Sequence, residues 1–149
     1  MFKRILVPID DSKPALAGLR TAVALARDQK ARLRLLHVAD MVPAVRAGAN
    51  GTTVSDLFEL MRAGGEALLA RNARYCAARG LKAETRLYVS LAGGAAQAIL
   101  GEAKKWRADV IVMGTHGRRG LSRVAMGSDA EAVVRAAPVP VLLTRAASK

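Results

Sequence analysis

The residues best suited to chemistry lie between 113 and 131, in the run MGTHGRRGLSRVAMGSDAE. Gly114 and Gly117 flank two residues, and nine more separate Gly117 from Gly127 and Ser128. Val110, Ile111 and Val112, which favour strands, lead into the run, and a helical pattern leaves it. A strand ending in a glycine turn, then a long loop, then a second glycine at a helix start suits a phosphate. Glycines let the backbone turn sharply and approach closely. The N–H groups that open a helix meet an anion where the helix dipole favours it. Ser128 adds a hydroxyl, and Arg118, Arg119 and Arg123 add positive charge. Asp10, at the end of the first apolar run, can accept from an adenine amine or a ribose hydroxyl. That division of labour is what a nucleotide needs.

Plainer readings stand beside this one. Ser128-Asp129-Ala130-Glu131 is also a capping box, with Ser128 at the cap and Glu131 three residues on. Such a cap contributes about 1 kcal/mol with no ligand present. Gly114 and Gly117 would serve equally as ordinary turn glycines. Asp10 and Asp11 could share a divalent ion with phosphates, but a strand-end turn explains Asp11 as well. His37 is expected to be a core or strand-end histidine, and His116 a loop residue beside the ligand. Two histidines without cysteine partners do not make a metal site by spacing. The patterns GxxxxGK[ST] and GxGxxG are absent. No Gly-x-Ser-x-Gly elbow and no general base stand out, so no catalytic residue is assigned.

The elements that must position these residues follow from periodicity. Residues 2–9 and 31–38 are expected strands, as are 82–89, 109–113 and the segment 139–144 that begins between Pro138 and Pro140. Helices are expected over 14–28, 54–79, 95–107 and 129–136. Ser12 would cap the first, with Pro14 in its opening turn. Leu57, Met61, Gly64, Leu68 and Tyr75 would form the inner face of the second, and Gly80 would end it. In the third, Ile99, Ala103 and Trp106 would point inward. Residues 40–53, with Pro43, Gly48, Asn50 and Gly51, are expected to be a loop and a candidate mobile segment. The alternation predicts an α/β fold with an open parallel sheet and helices on both faces. No repeat or linker divides it, so residues 1–149 are expected to form a single domain. The first and fourth strands are the most uniformly apolar and should be central neighbours. Their carboxyl ends would then flank a topological switch point, where open α/β sheets bind ligands.

An apolar content of 52% is far from a disordered composition. No apolar run reaches membrane-spanning length, and the N-terminus lacks the pattern of a signal peptide, which makes the cytoplasm the expected compartment. Cys76 is the one cysteine, excludes an intramolecular disulfide, and is expected in the core. The formal charge of +12 favours anionic partners. The cations are dispersed and not interleaved with aromatics, which argues against a nucleic-acid platform.

Four blocks closely resemble the universal stress protein family: ILVPIDDS at 5–12, LLHV at 35–38, ADVIVMGTHGRRGLSRVAMGS at 108–128 and VVRAAPVPVLLTR at 133–145. The resemblance covers nearly the whole chain. The third block matches the ATP-binding subgroup's pattern G-x2-G-x9-G-[ST]. The resemblance implies a five-stranded sheet of order 3-2-1-4-5 and a homodimer paired through the last strand. It also implies a stress-responsive ATP-binding regulatory role with weak hydrolysis at most, and Mg or Mn as a possible companion of ATP. By position, Asp10 and the Val38 backbone would hold adenine, and Pro8 and Gly114 would lie near the ribose. Gly117, Gly127 and Ser128 would cradle phosphates, with Arg118 beside them. One departure is Asp129, where many members carry an apolar residue; its charge would compete with phosphate for the helix start. The alternatives are a slow ATPase and a non-nucleotide interaction module that uses the basic surface.

Overall fold

The computed structural model describes residues 1–48, 51–92, 94–115 and 126–145. In chain order the elements are β1 (Arg4–Pro8), α1 (Lys13–Gln29), β2 (Arg32–Asp40), α2 (Val42–Arg46), α3 (Val54–Ala77), β3 (Ala83–Ser90), α4 (Ala95–Trp106), β4 (Val110–Gly114), α5 (Ser128–Ala136) and β5 (Val141–Thr144). The sheet is parallel throughout, with the order β3-β2-β1-β4-β5. β1 and β4 are therefore central neighbours, as expected from their apolar runs.

Because side chains alternate across a strand, each strand feeds two cores. Ile5, Val7, Leu33, Leu35, Val110 and Val112 pack against α1 and α3, together with Leu19, Val23, Leu68, Leu69 and Cys76. On the opposite face Leu6, Leu36, Ile111 and Met113 pack against Ile99, Ala103 and Trp106 of α4 and Val133 of α5. Cys76 is fully buried, and burial pushes its thiol pKa up against the smaller opposing pull of Arg79.

The structure corrects four expectations. Residues 40–53 are not all loop: Asp40 ends β2, and Val42–Arg46 forms α2 with Pro43 in its opening turn. The Asp40 carboxylate accepts from the Val42 N–H at 2.9 Å and starts that helix. On α3 the inward glycine is Gly65, not Gly64: a Cβ there would lie 2.6 Å from Leu87 Cδ1, whereas at Gly64 it would meet nothing. Pro140 cannot donate to a ladder, so β5 starts at Val141 rather than 139. The fourth correction concerns Ser128.

Candidate functional site

The carboxyl ends of β1 and β4 open into a cavity of about 790 Å³. Pro8, Asp10, Val38, Gly114, Gly127 and Ser128 all line it. Chain topology alone brings these distant residues together, because β1 lies between β2 and β4 in the sheet. Gly117 and Arg118 lie outside the described residues, as do His116, Arg119 and Arg123.

Each wall has a local cause. At the end of β1, Asp10 accepts from the Ser12 N–H at 3.1 Å, and Asp11 takes a left-handed conformation with φ 66°. Aspartate tolerates that region better than most residues. The Asp11 carboxylate is engaged by Arg71 of α3 at 2.5 Å, which also raises the Arg71 pKa. Ser12 then caps α1, accepting from the Ala15 N–H at 3.2 Å. β4 meets the start of α1 so closely that a Cβ on Gly114 would sit 2.6 Å from the Pro14 carbonyl carbon and 2.8 Å from the Ala15 nitrogen. Gly114 is therefore demanded by strand–helix packing, whatever it does for a ligand.

Gly127, not Ser128, is the N-cap of α5, with φ −63° and ψ 149°. Ser128 is the first helical residue, and among the described residues no side chain caps the helix. The capping-box reading fails because Ser128 sits one position too far along. The Gly127 N–H is itself spoken for: it donates to the Thr115 carbonyl at 2.8 Å, tying α5 back to the end of β4. The donors left at this helix start are the N–H groups of Ser128, Asp129 and Ala130, which helix geometry provides with no internal acceptor. All three residues line the cavity. α4 also starts here. Its N-cap, Gly94, has φ 83° and offers no side-chain cap, and Gly94 and Ala95 both face the cavity. Two helix starts whose cap residues are glycines thus open on one crevice.

Sequence reasoning missed the opposite wall. Pro43 and Ala44 of α2 and Met61 of α3 line the cavity, as do His37 and Asp40. Pro43 was the available signal, since proline belongs in a first helical turn. His37 is buried, with Nδ1 2.7 Å from the Ile9 carbonyl. A carbonyl only accepts, so Nδ1 carries the proton and the ring pins the end of β1 to β2. Among the described residues, no group of three or more His, Cys, Asp or Glu side chains could hold a metal. No helix among them is long and apolar enough to cross a membrane.

Residues 1–145 match the universal stress protein family. A universal stress protein of Methanocaldococcus jannaschii is 33% identical over 149 residues, covering 100% of this chain and 85% of that protein. The universal stress protein UspA of Lactobacillus plantarum has the same fold at a TM-score of 0.77 and 29% identity, covering 96% of this chain and 97% of its own. A universal stress protein of Archaeoglobus fulgidus, solved in complex with dAMP, matches at a TM-score of 0.66 and 24% identity, with 95% and 97% covered.

Proposed function

Because the chain belongs to the universal stress protein family, we propose that its crevice binds an adenine nucleotide, ATP foremost, and that occupancy makes it a stress-responsive regulator. The observation that carries this reading is the α5 start: three backbone donors without acceptors inside the helix, capped by no side chain among the described residues, at the mouth of a cavity of about 790 Å³. That volume lies within the range of small-molecule sites. A protein of the same fold binds dAMP, which supports the class of ligand.

In this reading Asp10 accepts from adenine, and the Val38 backbone borders the base. Pro8 and Gly114 lie by the ribose. Ser128, through its N–H and hydroxyl, and the N–H groups of Asp129 and Ala130 take phosphate oxygens. Gly117 and Arg118 complete the phosphate cradle from the loop, while Gly127 positions the helix rather than donating. A divalent ion such as Mg or Mn would arrive with the triphosphate; Asp11, held by Arg71, would have to exchange that partner to reach it.

The chain acts by binding rather than turnover. β5 is an edge strand with its own Leu142 exposed, and a second copy of the chain pairs there in the same proposal. The cytoplasm is the compartment that supplies the nucleotide.

The test is mass spectrometry of the nucleotide released on denaturing protein purified without added ligand, beside a Gly117→Asp variant. Adenine nucleotide from the native protein and none from the variant is the expected result. Empty protein in both, with no binding when ATP is added back, would overturn the reading.

A further inference from the structure

A second cavity, of about 480 Å³, lies beside the crevice in a groove between β3 and α4. It exists because α4 and α5 cover β1, β4 and part of β2 but leave the same face of the edge strand β3 without a helix. The β2–β3 register places Arg86 beside Leu36, Tyr88 beside Val38 and Ser90 beside Asp40. Leu36 belongs to the α4 core, so alternate residues Arg86, Tyr88 and Ser90 form a strand stripe on that face. Opposite runs a helix stripe at four-residue intervals: Gln97, Gly101 and Lys105.

Three features of the groove point to a ligand. Its charge is unbalanced. Arg32 and Arg34 share Glu84, Arg34 also holds Glu102 at 2.5 Å, and Arg86 reaches Glu102 only at 3.8 Å. Lys105 forms no ion pair among the described residues, so Arg86 and Lys105 bring more positive charge than the two carboxylates offset. An aromatic ring stands ready: Tyr88 is 50% exposed, a large flat side chain on a wall of the groove. Finally, Gly101 occupies the interior of α4, where glycine is a poor helix former. A Cβ there would meet nothing within 4 Å, so no protein neighbour requires its absence. Its effect is to keep a gap between Gln97 and Lys105 in the groove that Tyr88 also lines.

We propose that this groove is a second binding site, distinct from the nucleotide crevice, for a small aromatic phosphomonoester. The phosphate sits between Arg86 and Lys105, where charge-assisted hydrogen bonds are strongest. The ring stacks on Tyr88 over the space at Gly101. Gln97 supplies amide hydrogen bonds to substituents. The two cavities share Leu36 and Gly94 as wall, so a ligand in the groove touches the start of α4 that the crevice also uses.

The experiment titrates the full-length protein with phenyl phosphate and follows backbone amides by NMR. Phenol and inorganic phosphate serve as the half-ligands. Amides of Tyr88, Gln97 and Gly101 should shift, and each half-ligand should bind about ten-fold or more weakly than phenyl phosphate. Gly101→Leu fills the gap and should abolish binding while keeping its melting temperature, because leucine enters open space on a helix. Arg86→Glu with Lys105→Glu should weaken binding by about ten-fold or more. Gly117→Asp should leave it unchanged, which separates this site from the crevice whether or not the crevice holds a nucleotide. Absent binding, binding that survives both groove variants, or binding lost in Gly117→Asp would each overturn the proposal. So would inorganic phosphate binding as tightly as phenyl phosphate.

Discussion

The two ends of the sheet treat their polar backbone groups in opposite ways. At the amino end the donors are met internally. One carboxylate oxygen of Asp109 accepts from both the Lys3 and Arg4 N–H groups, at 2.7 and 2.8 Å, and the Arg4 guanidinium donates to the Trp106 carbonyl. α1 and α4 finish there on left-handed caps at Lys30 and Arg107, whose N–H groups return to helix carbonyls. At the carboxyl end α1 is capped by Ser12 and α3 by Thr53, but the cap residues of α4 and α5 are glycines, and among the described residues no side chain caps either helix. The amino end is built to be finished by folding. Among the described residues, the carboxyl end keeps helix-start donors that no side chain meets, clustered on one crevice.

Substitutions at the two ends should therefore separate stability from binding. Gly114→Val should have the largest effect. Its side chain would collide with the Pro14 and Ala15 backbone, with a cost of about 3 kcal/mol by urea unfolding and loss of measurable ATP binding. Asp109→Ala, at the closed end, leaves two N–H groups without their acceptor. It should cost about 2 kcal/mol, yet calorimetry should find ATP affinity within about two-fold of wild type. Equal damage to binding would mean that the ends are not independent.

Ser12→Ala probes the side-chain cap of α1 at the carboxyl end. It should cost about 1 kcal/mol of stability and leave affinity almost untouched, because the Ala15 N–H it orphans belongs to α1. Asp129→Val removes a negative charge from the α5 start. Titration calorimetry should show ATP binding about two- to five-fold tighter; unchanged or weaker binding would reject competition between Asp129 and phosphate. The smallest effect concerns the strip beneath the second groove. Burial would raise the Glu84 pKa, but Arg34 and Arg32 outweigh it and hold the carboxyl below its ordinary value of 4.5. Its contribution to stability is complete above that ordinary value and is lost as pH falls through the lower folded-state value. Glu84→Gln should accordingly flatten the acid limb of a stability–pH curve below about pH 4.5.

Much of this architecture was legible because the signals were long. Ile5 to Val7 and Val110 to Val112 are continuous apolar runs of the kind that strands buried on both faces carry, and they pointed to β1 and β4 as central neighbours. Short signals failed. Five residues of α2 are too few to establish a period, and Pro43 alone did not reveal them. Gly64 and Gly65 differ by a single helical step, so a small phase error chose the wrong one. Ser128 and Glu131 matched a capping pattern, but the position of the cap is set by the long-range bond from Gly127 to Thr115, which no local pattern contains. The groove was hidden for a related reason: Gln97, Gly101 and Lys105 gain meaning only once Arg86 and Tyr88 lie opposite them.

The most direct test of the central claim is an amide-resolved NMR titration of the protein with ATP. The account predicts that the largest shifts fall on Ser128, Asp129 and Ala130, with a second set at Asp10 and Val38 and little change at Lys3, Arg4 and Asp109. Shifts concentrated at the amino end, or none at the α5 start when ATP is saturating, would contradict it.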